Sequence, residues 1–452
     1  MNFFLAARRA VRPVGTVAAA LALVSCSSDI LNVGTPDVLS ADVLGGSLGA
    51  TTLRNGALQD FVVSFSGTQD GFLMSSGNMS DEIQTSDTFA DRYFTDGRRQ
   101  NELLGGATNG LYNGLHLART GLTSAIVAWT KSKSATNTAV RDSLSELYSL
   151  RGFNEDFFAE GYCNGVPFSS TAEDGSPVYG DPLTTALVLA RSSATFDSAT
   201  ASATGTSYKS LAAIGKARVL LNLGQFAQAA AAVSGVATNY KYFVYHSVAT
   251  GRQQNGVFNG ASVASSRYTA GTREGVNGLD FLSTPADPRA PWSPSNRTGF
   301  NSDPNLPLQT KYPAQNSNVV LADGIEARLI EAEARLQGAT QADRDAMFAS
   351  LNTLRATGLA TAIAPLPTSP ATQDAAVDML FKERAFWMWL TGHRLGDMRR
   401  LIRQYRRDQA TVFPVGAMPL RRGESFGTDV NFVVPFNERN NPKFAGCIDR
   451  NP

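Results

Sequence analysis

Lys382-Glu383-Arg384-Ala385-Phe386-Trp387-Met388-Trp389-Leu390-Thr391-Gly392-His393-Arg394-Leu395-Gly396-Asp397-Met398-Arg399-Arg400 is charge-dense and aromatic at once. Charges set among so much apolar carbon must find partners, because an unpaired buried ion is strongly destabilising. Residues eleven apart on an α-helix lie on nearly the same face, three turns away. Glu383 and Arg394 are therefore expected to approach each other if Gly392 only bends the helix. Glu383, Arg384, Arg394, Asp397 and Arg399 read as an architectural ion-pair cluster, which fixes geometry more than it adds stability. Trp387 and Trp389 stand two positions apart and cannot share a helix face, so at least one of them belongs to the core.

Helical periodicity spreads outward from this block. Pro370, after Ser369, opens the helix leading into it. Gln341 to Ala356 forms another, with Thr340 as N-cap and Asp343 three residues on, and Gly324 to Gln337 a third. Leu211–Leu223 and Ala227–Val233 make a helical hairpin around Gly224-Gln225-Phe226, whose turn resembles that of a tetratricopeptide repeat. From Ala139 to Gly161, Leu144, Leu147, Leu150, Phe153, Phe157 and Phe158 recur at threes and fours until Gly161 to Pro167 breaks the helix. Leu111, Leu115, Leu117, Leu122, Ile126 and Trp129 mark another long helix. A first one follows Ser40, with Val43, Leu44 and Leu48 on its inner side. Between about 238 and 322 the chain turns to Gly, Asn, Ser, Pro and Tyr, and irregular stretches of that length in a domain are usually functional. The tail from Val412 reads as loop and short strand, including Phe432 to Phe436. These patterns imply a mainly α fold, one domain over residues 26–452 with a loop-rich insert at about 238–322.

The N-terminus carries Arg8, Arg9 and Arg12 and then the uncharged run Val14 to Val24. A basic start and a short apolar run read as a secretion signal over residues 1–25; the run falls short of the roughly 20 residues that span a bilayer. Leu23-Val24-Ser25-Cys26 resembles the lipobox of bacterial lipoproteins, which predicts a diacylglyceryl group on Cys26. Several acyl chains anchor a protein firmly, at about 0.8 kcal/mol per buried methylene. Ser27, where an Asp commonly retains such lipoproteins at the inner membrane, favours export to the outer one. With Cys26 lipidated, Cys163 and Cys447 remain to pair in an oxidising compartment; two free buried thiols are the alternative. The 40 Lys+Arg against 39 Asp+Glu favour neither nucleic acid nor an anionic membrane as a partner. Charged residues make up 17% of the chain, below the roughly 25% typical of domains, so neutral polar side chains cover much of the surface.

Enzyme signatures are sparse. His116, His246 and His393 lie far apart, in no metal-ligand spacing, so no metal and no cofactor is expected. Gly45-Gly46-Ser47-Leu48-Gly49 fits the nucleophile-elbow pattern, which needs a preceding strand that this helix-patterned stretch does not offer. Ligand contact is better sought in the loops, because sugars pack their C–H faces on aromatic rings and their hydroxyls on polar side chains. Tyr268, Arg289, Trp292 and Tyr312 are the candidates there, Trp292 foremost because it sits between Pro291 and Pro294. Asp81 and Glu82 are a second candidate group.

Glu383-Arg384, Gly392-x-Arg394 and Asp397-x-Arg399-Arg400 resemble the signature of the SusD/RagB-like outer-membrane nutrient-binding lipoproteins, with Thr391 where an acidic residue is usual. The tetratricopeptide-like hairpin at Ala212 to Ala230, the loop Asp287-Pro288-Arg289, Leu329 to Ala334 with Leu351-Asn352-x-x-Arg355, and the helix Phe153 to Pro167 resemble further segments of that family in the same order. The resemblance implies a SusD-like helical body with tetratricopeptide-like helix pairs, long loops and a few short strands. It also implies a lipoprotein at the outer surface that binds oligosaccharides or similar nutrients for a TonB-dependent, SusC-like transporter and is not an enzyme. A secreted hydrolase and a helical scaffold of an envelope complex are the competing readings.

Overall fold

The computed structural model describes residues 46–452 apart from 102, 104–106, 134, 135, 173, 263 and 264. Cys26 and its leader, with Ser40, Val43, Leu44 and Gly45, lie outside the described residues. The described chain opens with α1 (Ser47–Val62), which passes into a π-helical turn at Val63–Gly67. Two short helices, α2 (Phe72–Met79) and α3 (Ala90–Asp96), flank strand β1 (Ile83–Thr85). The long helices α4 (Ala107–Ser132) and α5 (Thr138–Gly161) follow, then β2 (Val166–Pro167), β3 (Ser170–Thr171), β4 (Pro177–Val178) and β5 (Pro182–Leu183). Next come α6 (Thr185–Ser202), α7 (Thr206–Asn222) and α8 (Phe226–Val233). The loop-rich stretch holds β6 (Lys241–Val244), α9 (Gly256–Ala261), β7 (Tyr268–Ala270), β8 (Trp292–Ser293), β9 (Leu308–Gln309) and β10 (Val319–Asp323). The chain ends through α10 (Gly324–Leu336), α11 (Gln341–Thr357), α12 (Gln373–Trp387), α13 (Arg394–Arg403) and the single turn α14 (Gln409–Val412).

Each long helix packs on its successor: α4 on α5, α5 on α6, α6 on α7 and α7 on α8, then α8 on α10, α10 on α11 and α11 on α12. Caps mark the starts: Asn137 for α5, Thr184 for α6, Asp323 for α10, and a full capping box of Thr340 and Asp343 for α11. Close approach in the middle of the stack depends on glycine. A Cβ at Gly215 of α7 would stand 2.1 Å from the ring of Phe196, and one at Gly152 of α5 would stand 2.7 Å from the same ring. The main core joins α1, α2, α4, α5, α6 and α7 around Phe61, Phe65, Phe72, Phe153, Phe157 and Phe196. A second core, built on Leu329, Leu336, Leu351, Leu380 and Trp387, lies under α10, α11 and α12. The strands form two-stranded sheets among the described residues; β1 with β7 and β6 with β10 lash the loop-rich stretch to the helices.

The mainly α class stands, with several local departures from the sequence reading. Leu48 and Leu117 face outward, 74% and 54% exposed, because the buried stripe runs through Ala50, Ala57 and Phe61 in α1 and through Leu115, Ala118 and Leu122 in α4. The helix into the charged block begins at Gln373 with Thr372 as its cap, not at Pro370. That block is not one bent helix: α12 stops at Trp387, and Leu390 (φ 51) and Gly392 (φ 82) turn the chain before α13 starts at Arg394. Glu383 and Arg394 therefore do not meet. Phe432 makes a single parallel bridge to Tyr162, and Phe436–Asn440 is a 3-10 turn where a strand was expected. Ser47 and Gly49 open α1, so no strand precedes that stretch among the described residues.

Candidate functional site

One surface of the molecule is organised by a single carboxylate. Asp87 follows β1, and its Oδ1 accepts from the backbone N–H of Thr88 at 2.8 Å and of Phe89 at 3.4 Å, the local bond that lets a short polar side chain turn the chain into α3. Its Oδ2 accepts from Arg92 Nη1 at 2.5 Å and from Arg267 Nη1 at 2.9 Å. Arg421 donates to the Asp87 carbonyl oxygen. Burial alone would raise the Asp87 pKa, but the bonds from Arg267 and Arg92 outweigh it and hold the carboxyl below its usual range.

Each of four aromatic rings here rests against a guanidinium: Phe89 on Arg92 at 5.2 Å, Tyr93 on Arg421 at 4.5 Å, Phe94 on Arg99 at 5.7 Å and Phe300 on Arg267 at 4.5 Å. Tyr93 and Phe94 also stack at 4.5 Å. Phe300 is 54% and Phe89 44% exposed. The loop carrying Phe300 is fixed from both sides: the Asn301 N–H donates to the Ser86 carbonyl at 3.1 Å, and Asn301 Nδ2 donates to Asp303 Oδ2 at 2.7 Å. Ser302 (φ 71) and Asn305 (φ 58) hold left-handed backbone, a conformation that costs roughly 1–3 kcal/mol and clusters at functional sites. Exposed rings on a rigid, hydrogen-bonding frame suit a flat ligand with C–H faces and hydroxyls.

The candidate ligand residues read from the sequence lie mostly one layer deeper. Tyr268 is buried, its hydroxyl donating to Asp70 Oδ1 at 3.0 Å beneath Arg92. Tyr312 is buried and donates to the Leu390 carbonyl at 2.8 Å. Asp81 accepts both bonds of Arg394, at 2.6 and 2.8 Å. Glu82 is fully buried, with Oε1 accepting from the Leu390 N–H at 2.9 Å. Trp292 packs half-buried against the main core and donates to the Ser283 carbonyl at 3.1 Å, so the Pro-flanked ring does find core to fill. Arg289 is held by Asp287 and Glu383 on the floor of a cavity of about 690 Å³ that also involves Asn277, Asp280 and Lys382. That cavity offers no exposed ring, since Phe386 is 6% exposed.

The charged block is an interior strut with different partners than expected. Glu383 accepts from Arg289 at 2.7 Å and from Arg355 at 2.7 Å, so the segments around 287–289, 351–355 and 383–384 converge on one carboxylate. Arg384 pairs with Asp397 at 3.0 Å, and Arg400 joins Asp397 to Glu333. Arg399 donates to the carbonyls of Ala159 and Glu160 at 2.7 and 2.5 Å, capping the end of α5. The histidines are internal: His116 among Tyr112, Phe158 and Phe168, His246 against Ser66, and His393 against Thr391 and Glu326. Among the described residues no cluster of His, Cys, Asp and Glu fits a metal ion. A disulfide joins Cys163 to Cys447, tying the end of α5 to the C-terminal tail.

Sequence reasoning missed Phe89, Tyr93 and Phe300. Phe300 is a lone ring in a polar loop and Phe89 precedes α3, while Tyr93 lies within α3 beside Phe94. None has the flanking prolines that singled out Trp292, and only the fold separates a ring that finds core from one that does not.

No family model matches the chain, and no curated protein sequence does. Solved structures do match. A SusD superfamily protein from Bacteroides vulgatus superposes with TM-score 0.65 at 15% identity, over 89% of this chain and 99% of that one. A SusD-like carbohydrate binding protein from the same organism gives 0.62 at 15%, over 89% and 98%. A laminarin binding SusD-like protein gives 0.60 at 13%, over 89% and 99%.

Proposed function

The fold is SusD-like, and from that premise we propose that this chain captures glycans on the face framed by Phe89, Tyr93 and Phe300. The observation that carries the reading is the pair of exposed rings, Phe89 and Phe300, whose supporting guanidiniums share one oxygen of Asp87. Structural neighbours described as carbohydrate binding and laminarin binding support it. The chain works by capture and release, without cutting a bond. It is held by lipid on Cys26 at the outer face of the outer membrane, and it hands its ligand to a TonB-dependent, SusC-like barrel.

Titration of the purified protein with an oligosaccharide panel tests the capture step. Removing a stacking ring from a sugar site costs about 1–3 kcal/mol, so F89A and F300A each weaken binding roughly five-fold or more while thermal stability stays unchanged. Unchanged affinity in both variants removes this face from the proposal. Anchoring has its own assay: labelled palmitate enters the wild type and not C26A, and equal labelling of the two excludes the lipid anchor.

A further inference from the structure

Arg99 belongs to two places at once. It stacks on Phe94 in the aromatic face, and it lines a neighbouring cavity of about 620 Å³ together with Arg98, Asn101, Thr428, Asp429 and Arg450. The cavity is electrostatically lopsided. Its lining holds three guanidiniums and one carboxylate, that of Asp429. Arg98 is buried, donates only to the carbonyls of Asp429 and Pro414 at 2.7 and 2.6 Å, and meets no carboxylate within hydrogen-bond reach. Asp429 is shared: its Oδ2 accepts from the Gln100 N–H at 2.6 Å, and its Oδ1 lies 3.2 Å from Arg450. Glu424, the ion-pair partner of Arg99, is outside the lining. Arg99 and Arg450 each keep about a third of the side chain in solvent, 34% and 33%, so both are within a ligand's reach.

Arg99, stacked on Phe94, joins the aromatic face to this arginine-rich hollow. With Glu424 counted, three guanidiniums meet two carboxylates, and a surplus of guanidiniums selects planar or tetrahedral oxyanions, which they bind by paired charge-assisted hydrogen bonds. We propose that the captured glycan is anionic, and that the cavity seats a carboxylate or sulfate group of one sugar unit against Arg99 and Arg450. This rests on the glycan-capture reading and adds the substrate class to it.

The experiment compares three probes of equal length on the full mature chain: a neutral β-glucan oligosaccharide, an oligogalacturonate, and a chondroitin sulfate oligosaccharide. At low ionic strength an acidic probe should bind at least about ten-fold more tightly than the neutral one, and the advantage should shrink as NaCl rises toward 0.5 M (order of magnitude) because partly exposed charges are screened. Preference for galacturonate assigns the cavity to carboxylates, and a preference for the chondroitin sulfate probe that is lost on its desulfation assigns it to sulfates. Thr428 is exposed at the rim, so T428E introduces an opposing charge without disturbing the core. It should reduce the acidic-to-neutral affinity ratio by about five-fold or more, whereas T428Q should not. Equal, salt-independent binding of neutral and acidic probes overturns the anionic class and leaves glycan capture standing. Failure of all three probes to bind overturns the capture reading as well.

Discussion

Glu82 shows what burial does to a single carboxyl. It has no exposed surface; Oε1 takes the Leu390 N–H, and Oε2 has no hydrogen-bond partner. Desolvation pushes its pKa up from 4.5 to about 8, so in the folded protein it carries a proton at neutral pH. A carboxyl raised on folding stabilises fully below its unfolded pKa, and that contribution drains away as pH rises from about 4.5 to about 8. Lys311, lowered to about 8 by burial, begins to lose its proton in the fold only near the top of this window, where it offsets part of the fall. Denaturant unfolding at successive pH values should therefore show wild-type stability falling across the window. E82Q, which keeps the acceptor for Leu390 and replaces the protonated oxygen with an amide, should fall less steeply, by on the order of 1–3 kcal/mol between the ends. Asp96 and Glu274, also buried and raised, act in the same direction, so the slope shrinks without vanishing. Identical slopes in wild type and variant would show that Glu82 is ionised in the fold.

Elements were legible in the sequence where side chains repeat at helical spacing against one neighbour. The helix from Thr138 to Gly161 and the hairpin around Gly224 came through because their apolar residues recur at helical spacing, although Asn154, Glu155, Asp156, Arg218 and Asn222 are buried among them. α6 escaped notice: its apolar residues, Val188, Leu189, Phe196 and Ala199, are spaced among many Ser and Thr that also fill loops. The break between α12 and α13 was hidden for a different reason. Thr391-Gly392 carries the turn, but the flanking charges continue a helical pattern that only the partners Asp81, Arg289 and Arg355 contradict. Which charges exist could be read; which carboxylate each arginine reaches depends on chain segments far apart in sequence. The candidate site was the least legible part. Tyr268 lies beneath Arg92 and Asp81 is taken by Arg394, and exposure of a loop ring is decided by packing that periodicity does not encode.

At the scale of the whole molecule, the Cys163–Cys447 bond closes a covalent loop spanning 284 residues. A cross-link over such a length typically contributes about 2–5 kcal/mol by restricting the unfolded chain. C163S/C447S should therefore melt at a lower temperature than the oxidised wild type, and wild type melted in reductant should match the variant. Equal melting temperatures with and without reductant would show that the bridge contributes nothing. The Asp87 junction has a consequence of another kind. Its partners Arg267 and Arg421 lie 180 and 334 positions downstream, so the recognition face exists only once early, middle and late parts of the chain have all come to rest. On the proposed capture role, ligand affinity would thereby double as a certificate of maturation, since a copy truncated or halted partway through folding lacks the junction that sets the rings in place.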